Sequence, residues 1–331
     1  MKDLIKKFKE SGGQSVMEII VAMAIFTLIA STMVSIAIGS FETINRSGEM
    51  IKAGLLADEA VAAIDSIKNR AWNEFIYART AIGTSSDNSK WEFLGEGASD
   101  VIEDKYAREI NFYPIFRSTS TNRFATSSEE GFSPDIMSKL AEVIVSWDDG
   151  HFNDARISAE RRFVIYNDNS KIWKQNDWSG GSGNDVWNEN NKYSSDDGNI
   201  NNIASGSLVA LKEISTSTFP NEGYLISSGT SSAGGIWEIV SWAQEKSEAC
   251  PECQIVLQLQ GAADSGGAPG AWDADWCGPA SCDNNDFFAT SSGEIITNPG
   301  LIGKEWLHYK AILKGNGSMT PVLKEVKIFY K

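Results

Sequence analysis

Histidine is nearly missing from this 331-residue chain, with His151 and His308 its whole supply. Chemistry built on histidine clusters or a His-based triad therefore has little material. Cysteine is absent from the first 249 residues, and all four cysteines fall between positions 250 and 282. Basic charge is short too. Against 44 Asp and Glu there are 29 Lys and Arg, a net charge of −15 that argues against nucleic acid or an anionic lipid surface as partner. No G-x-S-x-G, H-E-x-x-H or Gly-rich phosphate loop occurs, and no lone cysteine has a base marked in sequence. Asp273 and Asp275 of "WDADW" stand two apart on a loop and read as solvated charges, not as a glycosidase pair. The expectation is a chain that is not an enzyme and needs no cofactor. Its 42% hydrophobic residues and 11 Trp are those of a globular protein, and its length suits two domains.

One long uncharged run is present, 23 residues from Ile19 to Phe41. Lys2, Lys6, Lys7 and Lys9 precede it, then Gly12-Gly13, and one acid, Glu18, stands at its start. A cleaved secretory signal would use Ala37-Ile38-Gly39 as its small-residue site, but the run is longer than the roughly 7–15 residues of a signal core. A plain anchor fits better, since about 20 apolar residues span a bilayer and the lysines hold the N-terminus in the cytoplasm. Neither accounts for Glu18, because a carboxylate in hydrocarbon costs roughly 2.5–3.5 kcal/mol and ordinarily has a partner.

The segment "KKFKESGGQSVMEIIVAMAIFTLIAS" resembles the class III signal of type IV pilins and of the pseudopilins of type II secretion. The resemblance implies cleavage by a prepilin peptidase between Gly13 and Gln14, which makes Glu18 the fifth mature residue. It also implies that the freed amine of one subunit pairs with this glutamate of a neighbour when helices stack in a filament. Cleavage would create a cation able to offset the intramembrane charge. The family usually opens its mature chain with Phe or Met. Gln14 departs from that, which bears on N-methylation.

Helical patterning continues past the apolar run. Leu56, Ala60, Ile64, Ile67 and Ala71 form one stripe, with Asp58, Asp65 and Asn69 off it. No proline lies between residues 14 and 113, so one helix is expected from about Ser15 to Arg70, leaving at "NRAWNEF". The period then shortens toward two in "REINFYPIF", "LAEVIVSW" and "ERRFVIY", the strands of a small antiparallel sheet under the helix. "LADEAVAAIDSIKNRAWNEF", "SKWEF", "REINFY" and "VIVSW" are similar to minor pilins that stand near a filament tip, which implies an α+β pilin head. Residues 174–206 are rich in Asn, Asp, Ser and Gly and read as a connector. Trp178 and Trp187 there are expected to pin it to a domain, the alternative being an exposed aromatic surface. "DDGNINN" has the look of a calcium loop, yet lacks EF-hand spacing and the terminal acid, so a turn is the reading and calcium the alternative.

From 207 on, strand signals recur. Ile255, Leu257 and Leu259 alternate in "QIVLQLQ"; Leu307, Tyr309, Ala311 and Leu313 do so in "EWLHYKAIL"; Val322, Val326, Ile328 and Tyr330 follow in "PVLKEVKIFY". An all-β sandwich is expected. The order of phrases resembles jelly-roll modules of bacterial surface proteins, cousins of carbohydrate-binding and concanavalin-like sandwiches. Cys250, Cys253, Cys277 and Cys282 suit either a four-thiolate zinc site or disulfides. The loose second spacing and a translocated location favour disulfides, with sequence proximity favouring Cys250–Cys253 and Cys277–Cys282. Trp272 and Trp276 are candidates for stacking on a sugar ring, or else close a loop.

The fold class expected is α+β, a long N-terminal helix on a small antiparallel sheet followed by a β-sandwich. The segments are a leader at 1–13, the helix at 14–72, a pilin-like head at 73–168, a linker at 169–206 and the sandwich at 207–331. The function implied is a minor pilin or pseudopilin near a filament tip, with other subunits, the peptidase and the inner-membrane assembly machinery as partners. Its sandwich would touch a surface glycan or a secreted cargo, and it would pass from the cytoplasmic membrane to the cell surface. The alternative is a signal-anchored, lectin-like surface protein outside any filament.

Overall fold

The computed structural model describes residues 2–118, 123–148, 157–179, 183, 185–188, 192–203, 206–283 and 285–331, with side chains from Val16 onward except that of Ile203. His151 lies outside the described residues.

Helix α1, Lys2–Arg70, is 69 residues long, about 100 Å at 1.5 Å per residue. It begins earlier than the expected Ser15, running unbroken through Gly12-Gly13. Its last turn carries Lys68 and Arg70, which suit the negative end of the helix dipole. Arg70 also pairs with Glu74 at 2.6 Å in the short 3-10 turn Trp72–Glu74 that follows.

The C-terminal part of α1 lies on a sheet. Ala53, Ala57, Ala60, Ala63, Ile64 and Ile67 are fully buried, while Asp58, Asp65 and Asn69 are exposed. Alanines at the contact let helix and sheet approach closely, and Leu56 is only half-buried. The strands of this head are β1 Arg79–Thr80, β2 Ile82–Thr84, β3 Trp91–Phe93, β4 Asp100–Ile102, β5 Tyr106–Ser118, β6 Phe124–Ala125, β7 Phe132–Trp147 and β8 Ile157–Tyr166. The main sheet has the order β1-β5-β7-β8, with β4 and β6 also on β5, and β2 pairs β3 as a separate hairpin. Trp72, Phe75, Phe93 and Phe112 cluster where the helix ends, centroids 5.0–5.5 Å apart. Arg161 pairs with Asp58 of the helix at 2.7 Å, and buried Arg108 reaches Glu59 at 3.3 Å and Asp100 at 2.6 Å.

The remaining strands are β9 Lys171–Gln175, β10 Tyr193–Asp196, β11 Ile200–Ile203, β12 Leu208–Leu211, β13 Glu222–Ser227, β14 Thr230–Ser231, β15 Trp237–Glu245, β16 Gln254–Asp264, β17 Pro269–Trp272, β18 Glu294–Ile295, β19 Trp306–Lys314 and β20 Val322–Tyr330. They form two facing sheets, β10-β13-β19-β16-β17 with β14 on β19, and β11-β12-β20-β15-β18 with β9 on β20. Ile255, Leu257, Leu259, Leu307, Tyr309, Ala311 and Leu313 are buried in the core between them.

Two expectations are corrected here. Residues 169–206 are no connector: β9, β10 and β11 pair with β20, β13 and β12. Trp178 is fully buried in the sandwich core, where its Nε1 donates to the Tyr309 hydroxyl at 2.8 Å. The polar composition is that of turns between short edge strands, held by one tryptophan. The inward face of β20 also shifts. A bulge near Lys324 puts Leu323 in the core and leaves Val322 half-exposed, because the extra residue moves the alternation by one.

A second bulge joins the two halves. Trp237 pairs with Tyr330 and Ile239 with Phe329, so Glu238 is the extra residue. Ile239 and Phe329 sit in the head's core cluster. Glu238, with 0% exposure, accepts hydrogen bonds from the Trp72 N–H and Asn167 Nδ2, both at 2.9 Å, and from the Ser170 hydroxyl. β15 and β20 thus serve two cores, giving Val240, Val326 and Ile328 to the sandwich and Ile239 and Phe329 to the head.

Candidate functional site

From Val16 to Gly48 every residue of the helix is exposed except Ala30, which is half-buried. Phe26 is 72% exposed and Leu28 67%. The most apolar stretch reaches a mean hydropathy of 2.4 with none of it buried, and it is long and apolar enough to cross a membrane. The uncharged run from Ile19 to Phe41 spans about 34 Å as a helix, against a hydrocarbon core of about 30 Å. Its hydroxyls are satisfied inside the helix. Thr27 donates to the Ala24 carbonyl at 2.9 Å, Thr32 to Ile29 at 2.8 Å, Ser35 to Ser31 at 3.0 Å and Ser40 to Ile36 at 2.8 Å. Such back-bonding is what a helix in lipid requires of Ser and Thr. Glu18 stands exposed at the N-terminal end of the run. Gly13 and Gln14 lie in the helical backbone five and four residues before it.

The other predicted site residues lie far from that helix, on the sandwich. Cys250–Cys253 and Cys277–Cys282 are disulfides. Cys277 also pairs with Leu259 through main-chain bonds at 2.8 and 2.9 Å, so the second bridge fixes a loop along the edge of β16. Trp272 and Trp276 are brought together by a residue that alternation alone placed opposite the core face, His308. The Trp272 and His308 rings are 3.7 Å apart and 4° from parallel; Trp276 and His308 are 4.9 Å apart at 12°. Parallel rings at those distances would overlap on one side, so the imidazole lies between the indoles. Lys310, two residues on and facing the same way, holds its ammonium 4.9 Å from the Trp276 centroid. Trp276 therefore fills the gap between His308 and Lys310 and has no face free for a sugar. Trp272 is packed as well: a Cβ on Gly229 would come within 2.7 Å of its ring, so glycine is required there.

Polar groups anchor the stack. His308 Nε2 and Gln260 Oε1 are 2.6 Å apart. Burial pushes the imidazole down to about 3, with a smaller opposing pull from the Ser227 main chain, so the ring is neutral and Nε2–H donates. Lys304 pairs with Asp273 at 2.6 Å, and Asp275 is exposed. The "DDGNINN" carboxylates make turns, Asp196 accepting from the Gly198 N–H at 2.8 Å and Asp197 from Asn199 at 3.0 Å. Among the described residues no group of three or more His, Cys, Asp or Glu converges as a metal site would require.

The chain matches no family model, and no curated protein matches it. A solved chain described as "Structural basis for the promiscuous specificity of the carbohydrate-binding modules from the beta-sandwich super family" is similar over 76% of this chain and 96% of its own, at 8% identity and a TM-score of 0.21. A likeness that distant carries no argument about ligand or function.

Proposed function

We propose that the protein is a membrane-anchored subunit of a pilin-like filament, processed between Gly13 and Gln14. The observation that supports this most is the bare apolar helix with a single carboxylate at its start, continuous with a helix half that is locked onto a β head. A helix of that kind serves first in the bilayer and then against other apolar helices. Glu18 is the residue that would answer a neighbour's amine. The sandwich adds bulk at the far end and is fastened there through Glu238, which is easier to seat at a filament tip than along a close-packed shaft. In this reading the sandwich touches a surface glycan or a secreted cargo, and the chain performs no catalysis.

A second reading, a surface-anchored glycan-binding protein outside any filament, draws on the sandwich alone, whose outer sheet face carries Lys310 against the Tyr224 and Trp276 rings. The test is the mature N-terminus. A chain beginning at Gln14 supports the filament reading; one that keeps Met1 supports the second.

A further inference from the structure

The sheet β10-β13-β19-β16-β17 has an outer face only partly covered. Its register sets Ser195, Ile226, Lys310 and Gln258 side by side across four strands, with Tyr224 and Ile312 in the next row. The disulfide-bearing loop closes the β16 side, where Gln258 Nε2 donates to the Asp283 and Asp286 carbonyls at 2.9 and 3.0 Å. The strip over β13 and β19 is left, and there Tyr224, Ile226 and Lys310 are half-exposed.

Lys310 is unusual in its surroundings. Its ammonium stands between two rings, 4.9 Å from Trp276 and 5.6 Å from Tyr224. Among the described residues no carboxylate lies within ion-pair distance of it, although the chain has 44 acids. Lys304, on the flank of the same sheet, does have such a partner in Asp273. Glu222 acts on Lys310 from beyond that distance, and burial pulls the lysine's pKa down. Lys314 repeats the pattern four residues along the same face, about 13 Å away. Its ammonium is 5.0 Å from the Phe287 ring, and it too makes no ion pair among the described residues.

We propose that this strip binds a saccharide bearing carboxylates, a uronate polymer or its oligomers, with Lys310 as the cation that receives the acid. The inference rests on the reading of the sandwich as the contact module. A partly desolvated ammonium gains more from an anion than one already paired in water. The hydroxyls of Tyr224 and Ser195 on the same strip offer hydrogen bonds to the hydroxyls of a pyranose. Long-range charge cannot substitute for the local site, because a net charge of −15 repels polyanions in general.

The experiment is calorimetric titration of the full chain in detergent with oligogalacturonate, a neutral glucan oligomer and poly-glutamate. Oligogalacturonate is expected to bind and to weaken with salt. Lys310→Met should lower its affinity about tenfold, while Lys310→Arg should keep it and Glu222→Gln should raise it. Near-UV circular dichroism checks the fold of each variant, and the Arg and Gln variants keep the test decisive if the Met variant misfolds. Oligogalacturonate binding that ignores all three substitutions would overturn the proposal. So would equal binding of poly-glutamate, or binding of the neutral glucan alone, which would leave a glycan contact standing without its acid. Binding of none of the three would overturn the acid site and count against a glycan as the contact.

Discussion

Replacing Glu238 by alanine should loosen the head from the sandwich. In the native chain this carboxylate is wholly buried and satisfies the Trp72 N–H and Asn167 Nδ2 at 2.9 Å each, with the Ser170 hydroxyl as third donor. Truncation strands the first two in the buried junction between head and sandwich, at roughly 1–3 kcal/mol for each unsatisfied donor. Ser170 is half-exposed and can turn to water. Relief of the carboxylate's own desolvation offsets part of the loss, so the net is about 3 kcal/mol. For folded parts of this size that corresponds to a fall in Tm of roughly 6–12 °C. Glu238→Gln keeps one acceptor oxygen and should lose about half as much. The assay is thermal unfolding of the full chain in detergent, followed by tryptophan fluorescence and near-UV circular dichroism. A Glu238→Ala protein that melts within about 2 °C of the native one, or a native protein whose halves melt in two separate steps, would refute the reasoning.

Two further outcomes are expected. The His308 ring is neutral in the fold down to about 3, whereas an unfolded histidine takes its proton near 6.5. The unfolded chain binds the extra proton, so stability should fall by about 1.4 kcal/mol per pH unit as pH drops from about 6.5 toward 3. His308→Phe should flatten that part of the profile in chemical denaturation, and an unchanged slope in the variant would contradict the assignment. Glu18→Ala should leave membrane insertion intact and reduce the subunit's recovery in sheared filaments at least tenfold, read by immunoblot. Undiminished recovery would show that the carboxylate sets no register.

The helix and the sandwich core were legible because both rest on periodicity. Ala60, Ile64, Ile67 and Ala71 recur at helical spacing and are buried, and Ile255, Leu257 and Leu259 of β16 and Leu307, Tyr309, Ala311 and Leu313 of β19 alternate into the core. What periodicity could not show is where it breaks. The bulges at Glu238 and near Lys324 each add one residue and so redirect the side chains around them, and nothing in composition marks either one. Residues 169–206 misled for a different reason: short edge strands in a polar segment bury few aliphatics, and their pairing depends on partners far along the chain. Trp272 and Trp276 drew attention as aromatics on a loop. The residue that organises them, His308, was already visible on the face opposite Leu307 and Tyr309, and its position between two indoles depends on contacts about 30 residues apart in sequence.

The central claim, that the bare helix belongs to a processed filament subunit, is tested most directly at the N-terminus of the mature protein. Mass spectrometry on membranes from cells with and without prepilin peptidase should find a peptide beginning at Gln14 in the first and a chain that keeps residues 1–13 in the second. A chain that retains Met1 in both, or one that starts near Ser40, would contradict the account.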